Sequence, residues 1–365
     1  MKKSILKCTI VFAFLMGFVS LINNINTTFA ATSGDFVIKP EDGDGAKVNI
    51  DGGFYLIKAN PGEVVQVKVG IFNTDKHERR FLVSANTAYT DDSGQPAYNA
   101  KKVKDPNLKV KVRDTVQNND QIITVAGNSD TSATLNIKIP EQKYNGFIMG
   151  GVNVTPYKEE AKGTVTENGT LIKNKFSYSL PIQIGQNGSD NADVNYKISK
   201  VFPTIVPSPG KKEIGVSAVV MNTKNAYIPN LSSKAVITKY GNSKFKKTTV
   251  QDNQSIAPTS HYNYPVSWGK DRLQTGKYHI KLTYNGSGIK SWVVDKDFII
   301  TNAQADKFNN LAGFKPNYMW LWIILGILLL LLILGLGLYL GKRNNNNNSN
   351  NNNRLSSKSR RRRRR

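Results

Sequence analysis

A run of 22 residues, Met319 to Leu340, contains no charged side chain and holds five successive leucines, Leu328 to Leu332. About 20 apolar residues suffice to cross a bilayer as a helix, so this run spans it with some tilt. Tyr318, Trp320 and Trp322 stand at one edge and Tyr339 at the other, where interfacial aromatics anchor a spanning helix. A buried helix of a soluble domain rarely runs so far without one polar residue. Everything else in the chain must therefore be sorted to one side of a membrane or the other.

The sorting signal is charge. Lys342 and Arg343 follow the run, then an Asn-rich stretch from Asn344 to Asn353, then Arg354, Lys358 and Arg360 to Arg365. This tail has ten basic and no acidic residues. The positive-inside rule places it in the cytoplasm and the long N-terminal side outside. The Asn stretch is low-complexity and reads as unstructured. Anionic inner-leaflet lipid is the simplest partner for the arginines, and a solvated stop-transfer tail is the plainer reading.

The other end agrees. Lys2, Lys3 and Lys7 precede an apolar stretch from Cys8 to Ile22, and small residues follow at Ala30 and Ala31. That is the layout of a secretory signal peptide, here residues 1–30, with an uncleaved anchor as the alternative. Cys8 is the only cysteine of the 365 residues, so a disulfide scaffold and a Cys-based zinc site are excluded. Cell-wall proteins attached by sortase show the same ending, but an LPxTG-type motif then precedes the apolar run. Here the preceding residues are Gly313-Phe314-Lys315-Pro316-Asn317-Tyr318, so the helix is expected to stay in the membrane.

A net charge of +24 first suggests a nucleic-acid binder. Its distribution removes that reading. Residues 31–189 carry 19 basic and 18 acidic side chains, whereas residues 190–302 carry 16 and 7. The excess lies in the tail and in the second outer segment, and no nucleic-acid partner is expected. A basic outer face can meet an anionic polymer or an acidic protein, or serve only solubility.

Between the two ends the apolar residues alternate with period two. Val65, Val67, Val69 and Ile71 form one such series, Ala133, Leu135, Ile137 and Ile139 another, and Tyr278, Ile280, Leu282 and Tyr284 a third. Turn formers separate them, as at Asn60-Pro61-Gly62 and Asn187-Gly188-Ser189-Asp190-Asn191. No convincing amphipathic helix interrupts residues 31–302. The expected fold is all-β: two tandem immunoglobulin-like β-sandwich domains, residues 31–189 and 190–302. A juxtamembrane linker, 303–318, a transmembrane helix, 319–341, and a basic tail, 342–365, complete the chain.

The search for catalytic chemistry finds little. His77, His261 and His279 lie apart and read as exposed surface residues, and no metal or cofactor site is expected. Asp42-Gly43-Asp44-Gly45 lacks the further oxygen ligands of a calcium loop, and Asp91-Asp92-Ser93-Gly94 reads as a turn. No nucleophile elbow or phosphate loop occurs, so an enzyme is not expected. Among the aromatics that could stack on sugar rings, Trp268 in Ser267-Trp268-Gly269-Lys270 is the best candidate for an exposed platform. Tyr144 and Asn145 lead into the glycines Gly146, Gly150 and Gly151, which permit either a ligand's close approach or a tight crossing inside the sandwich.

The ordered layout resembles the WxL-interacting proteins of low-GC Gram-positive bacteria. The residues that carry the resemblance are Phe36-x-x-x-Pro40, Pro61-Gly62, Asn73, Asp91-x-x-Gly94-x-x-x-Tyr98 and Pro140-x-x-x-Tyr144-Asn145-Gly146-Phe147-Ile148-Met149-Gly150-Gly151-Val152. In the second segment they are Asn222, Pro229, Ile256-Ala257-Pro258-x-Ser260, Gly276-Lys277-Tyr278, Trp292 and Phe298-x-Ile300. The acidic start at Glu41-Asp42-Gly43-Asp44 departs from the family's Asn/Gln-rich segment. The resemblance implies a cell-membrane surface scaffold whose first domain binds peptidoglycan. Its second domain would bind a WxL-domain surface protein or a host serum or matrix protein. Ligand contacts are expected at Tyr144, Asn145, Gly146, Gly150, Gly151 and Trp268. A host-matrix adhesin without a WxL partner is the alternative, and a cell-wall hydrolase is a third class.

Overall fold

The computed structural model describes residues 35–159, 163–165, 171–173, 176–206, 213–286, 289–314 and 318–360. The signal-peptide reading, the last five arginines and parts of the juxtamembrane linker and of the Asn285–Gly288 turn lie outside these.

The first domain runs through β1 (Phe36–Glu41), β2 (Val48–Asp51), β3 (Phe54–Ala59), β4 (Val64–Asn73), β5 (Arg79–Thr87), β6 (Tyr89–Thr90), β7 (Pro96–Ala97), α1 (Val112–Thr115), β8 (Gln121–Val125), β9 (Ser129–Lys138), β10 (Phe147–Pro156), β11 (Gly163–Val165), β12 (Leu171–Lys173) and β13 (Tyr178–Gln186). A three-stranded sheet, β1-β4-β9, faces a six-stranded sheet, β2-β3-β13-β10-β5-β8. Period two explains the packing. Val65, Val67, Val69 and Ile71 of β4 all point inward and are fully buried, against Tyr55, Phe81, Val152 and Ile184 of the other sheet. β13 lies between β10 and β3, antiparallel to the first and parallel to the second.

The second domain contains β14 (Tyr196–Val206), β15 (Glu213–Asn222), β16 (Leu231–Lys239), β17 (Asn242–Gln254), β18 (His261–Ser267), β19 (Gly276–Gly286) and β20 (Ile289–Ile300). Its sheets have the orders β14-β15-β18 and β17-β16-β19-β20. Aromatics fill its core: Tyr196, Tyr262, Tyr264, Tyr278, Tyr284 and Trp268 are all nearly or fully buried. The hydroxyls of Tyr262, Tyr264, Tyr278 and Tyr284 are paired internally, whereas the Tyr196 hydroxyl and Trp268 Nε1 are buried without a partner among the described residues. The Tyr262 and Tyr284 hydroxyls are 2.6 Å apart, and the Ser233 hydroxyl donates to the Tyr264 hydroxyl at 3.1 Å.

The same device closes one end of each domain. Asn73, the last residue of β4, donates from Nδ2 to the carbonyls of His77, Val125 and Ala126 at 2.8–3.1 Å. Asn222, the last residue of β15, donates to the Ala226 carbonyl at 2.7 Å. Both amides are fully buried. An amide offers several hydrogen bonds from one short side chain, which satisfies loop carbonyls that would otherwise be buried unpaired.

Two helices follow. α2 (Asn302–Leu311) begins at a capping box in which the Thr301 hydroxyl accepts from the Gln304 N–H and the Gln304 side chain accepts from the Thr301 N–H. The expectation for residues 303–318 is a linker; residues 302–311 form a helix docked on the second domain. Asn309 holds it there, donating to the Leu273 carbonyl at 3.0 Å and accepting from the Leu273 N–H at 2.8 Å. α3 (Met319–Arg360) contains the apolar run Met319–Leu340, exposed throughout, which is a candidate membrane span. Here too the structure differs from the expectation, since α3 continues through the Asn stretch.

Candidate functional site

The two domains meet along a hydrogen-bonded junction. β6, β7 and the turn Asp91–Gly94 of the first domain reach the loop before β18 of the second. The Asp91 carboxylate accepts from the N–H groups of Ser93 and Gln95 at 2.9 and 3.1 Å, which closes the turn. The closed turn presents Asp92 and Gly94 across the junction. The Asn263 N–H donates to Asp92 Oδ1 at 3.0 Å, and the Ser255 N–H donates to the Gly94 carbonyl at 2.7 Å. His261 Nδ1 lies 2.5 Å from Asp105 Oδ2 across the same junction. His261 is exposed, in line with its reading as a surface residue, and it also takes part in the domain contact. A small apolar cluster of Ala88, Met149 and Ala257 with Phe54, Tyr98 and Tyr227 lies beneath.

The loop before β10 supplies the other half of the junction. Gln186, nearly fully buried, donates to the Pro140 and Gln142 carbonyls and accepts from the Tyr144 N–H at 3.1 Å. Tyr144 donates its hydroxyl to the Ile184 carbonyl at 3.0 Å, and burial raises its pKa. The loop is therefore pinned to β13 from two sides. At its end the Gly146 N–H donates to the Asp190 carbonyl at 2.8 Å and the Phe147 N–H to the Asn225 carbonyl at 2.9 Å.

The expected contact residues divide. Tyr144 and Asn145 line a cleft of about 790 Å³ between the domains, together with Lys109, Lys143 and Lys224. Gly146 borders a second cleft of about 1140 Å³ on the other side of the linker, which also receives Asn49, Gln183, Tyr227 and Trp292. Gly146 itself serves the junction: its φ is +73°, and a Cβ there would lie 2.0 Å from the Asn225 carbonyl oxygen. Gly150 and Gly151 are closed off by protein. A Cβ on Gly150 would meet Val112 at 2.6 Å, and one on Gly151 would meet the Tyr98 ring at 2.7 Å. They permit a tight crossing, the second of the two readings their sequence allowed. Trp268 corrects the sequence expectation most sharply. It is fully buried, its ring 5.5 Å from Phe245 and 5.7 Å from Tyr278. Its Gly neighbour signals a turn, but its own position continues the inward register of Tyr262, Tyr264 and Val266. The aromatics that line the clefts are Tyr144 in the smaller one and Phe147, Tyr227 and Trp292 in the larger. Among the described residues, no group of three or more His, Cys, Asp or Glu is placed to hold a metal ion.

The molecule is thus two β-domains joined at a cleft-bearing junction and followed by an apolar helix that is a candidate membrane span. Residues 36–156 match the peptidoglycan binding domain of the WxL Interacting Protein family, and residues 167–310 match its host binding domain. The chain belongs to the WxL-interacting protein family, and both matched domains are binding domains. The family match begins its second domain at residue 167, although β13 completes the first domain's sheet. A search of curated proteins finds no match.

Solved structures give weaker likenesses. One is the CsuC–CsuE chaperone–tip adhesion subunit complex of Acinetobacter baumannii, at 11% identity and a TM-score of 0.31, covering 68% of this chain and 97% of that one. Another is the chaperone–tip adhesin complex of CFA/I fimbriae, at 12% identity and a TM-score of 0.30, covering 71% and 98%. TM-scores at this level reflect shared β content and nothing finer.

Proposed function

We propose that the chain is a membrane-anchored, non-enzymatic surface scaffold that grips wall glycan at the junction of its two outer domains. The observation that carries the reading is the larger cleft. It sets the ring systems of Tyr227 and Trp292 among the amides of Asn49, Gln183 and Asn191. Sugar rings are recognised by this combination, since their faces are apolar and their edges hydrogen-bond. The family's peptidoglycan-binding and host-binding domains support the partner class. The second domain additionally holds a WxL-domain surface protein or a host protein, and the outer domains face the wall with the tail inside. The test is co-sedimentation of residues 31–314 with insoluble peptidoglycan, alongside capture by a purified WxL-domain protein. Failure of both at moderate salt overturns the reading. Binding to serum or matrix protein without WxL binding would favour the adhesin alternative.

A further inference from the structure

The end of the second domain remote from the junction is built from the β16–β17 turn, the loop before β19, the close of β20 and helix α2. Three contacts tie these together. The Tyr240 N–H donates to the Lys277 carbonyl at 3.0 Å, Thr275 Oγ1 donates to Asn302 Oδ1 at 2.6 Å, and Asn309 clamps Leu273. This end carries Lys239, Lys244, Lys270, Arg272, Lys277 and Lys307, with Tyr240 and Leu311 exposed among them. The acids there are Glu213, Asp271, Asp297 and Asp306. Asp271 is engaged by Lys247 at 2.5 Å, and Asp297 by Lys277 and His279, each at 2.9 Å. Cations remain in excess.

The tether is short. Phe314 is still part of the domain, packed against its core with its N–H donating to the Asn309 carbonyl at 2.9 Å. The candidate span begins at Met319. Five residue steps reach at most about 18 Å. The Phe314 corner of the basic end is therefore held within about 18 Å of the span, and a tether short of full extension brings it within the Debye length of about 8 Å over which an anionic surface acts.

From this geometry we infer that the lower end of the second domain rests on an anionic leaflet, with Lys239, Lys244, Lys270 and Lys307 among the headgroups and Tyr240 and Leu311 at the interface. The inference rests on the membrane reading of Met319–Leu340, which nanodisc incorporation tests separately. Basic side chains with long apolar stems, interleaved with an aromatic ring, suit that position. The contact would fix the height and tilt of the outer region, and so aim the interdomain clefts outward.

The test uses the full chain in nanodiscs, with Cys8→Ser and a fluorophore at Ser243→Cys. Ser243 is exposed at the β16–β17 turn, far in sequence from the tether. Brominated lipid is added to phosphatidylcholine discs or to discs containing phosphatidylglycerol. Strong quenching is expected with phosphatidylglycerol, falling severalfold in the neutral discs and in the Lys244→Glu/Lys270→Glu/Lys307→Glu variant. Equal quenching in the two lipids overturns the inference. So does phosphatidylglycerol-dependent quenching that survives the triple reversal. Absence of quenching in every incorporated disc overturns it as well. Failure to incorporate at all would count against the span and not against the contact.

Discussion

Thr90 Oγ1 of the first domain lies 2.5 Å from Ser260 Oγ of the second, and both residues are buried. Their protons can be assigned. Ser260 donates to the Ala257 carbonyl at 2.8 Å, and the Ala257 N–H donates to Thr90 Oγ1 at 3.0 Å. Thr90 must then donate to Ser260, which closes a ring of three hydrogen bonds across the junction. Thr90→Val keeps the shape and removes the hydroxyl, leaving the Ala257 N–H buried without a partner. The expected loss is about 1–3 kcal/mol of domain docking. Calorimetry of residues 31–314 should show one transition separating into two.

Gly146 makes a sharper case, because two penalties coincide there. Its φ of +73° disfavours any Cβ, and the Asn225 carbonyl occupies the space a Cβ needs. Gly146→Ala should open the junction while leaving each core intact. Hydrogen exchange at Phe147, which donates to Asn225, should rise, while exchange at Val67 and Ile280 stays slow.

The position of β13 predicts where the chain can be cut. β13 is a central strand, with Ile182 and Ile184 fully buried between β3 and β10. A fragment ending at residue 156 separates the β2-β3 pair from the rest of its sheet. It should lack cooperative urea unfolding, whereas a fragment of residues 31–189 should unfold in one step.

Much of this was legible in the sequence, and the boundary between what was and was not is physical. The β4, β9 and β19 series were plain because alternation is local and each strand buries one face. β17 was missed because it is an edge strand with Phe245 as its sole large apolar inward residue, so its sequence reads as polar loop. Helix α2 was passed over although Thr301 and Gln304 spell a capping box; its apolar stripe is only Ala305, Phe308 and Ala312. The junction was invisible for another reason. Thr90 and Ser260 are separated by 170 positions, and nothing local distinguishes a turn that faces water from one that faces a second domain. The clefts depend on that junction, so Tyr227 was not singled out and Trp292 was one aromatic among many.

Asp297 provides a pH signature. Hydrogen bonds from His279, then Lys277 and Tyr240, lower its pKa to about 2 from an ordinary value of 3.8. A depressed folded pKa contributes stability that is complete above the unfolded value and lost as pH falls through the folded one. Carboxyl NMR should place its titration near 2, and Lys277→Ala should move it upward. This local loss should fall between about pH 4 and 2.

The central claim is that wall glycan is held at the junction by residues of both domains. The most direct measurement is the fraction of residues 31–314 pelleted by purified insoluble peptidoglycan, beside the Asn49→Ala/Gln183→Ala/Tyr227→Ala variant. The first two positions belong to the first domain and the third to the second, and all line the larger cleft. The account predicts that the unaltered protein pellets and that the variant, with an unchanged far-ultraviolet spectrum, stays largely in solution. Equal pelleting of the two proteins would contradict it.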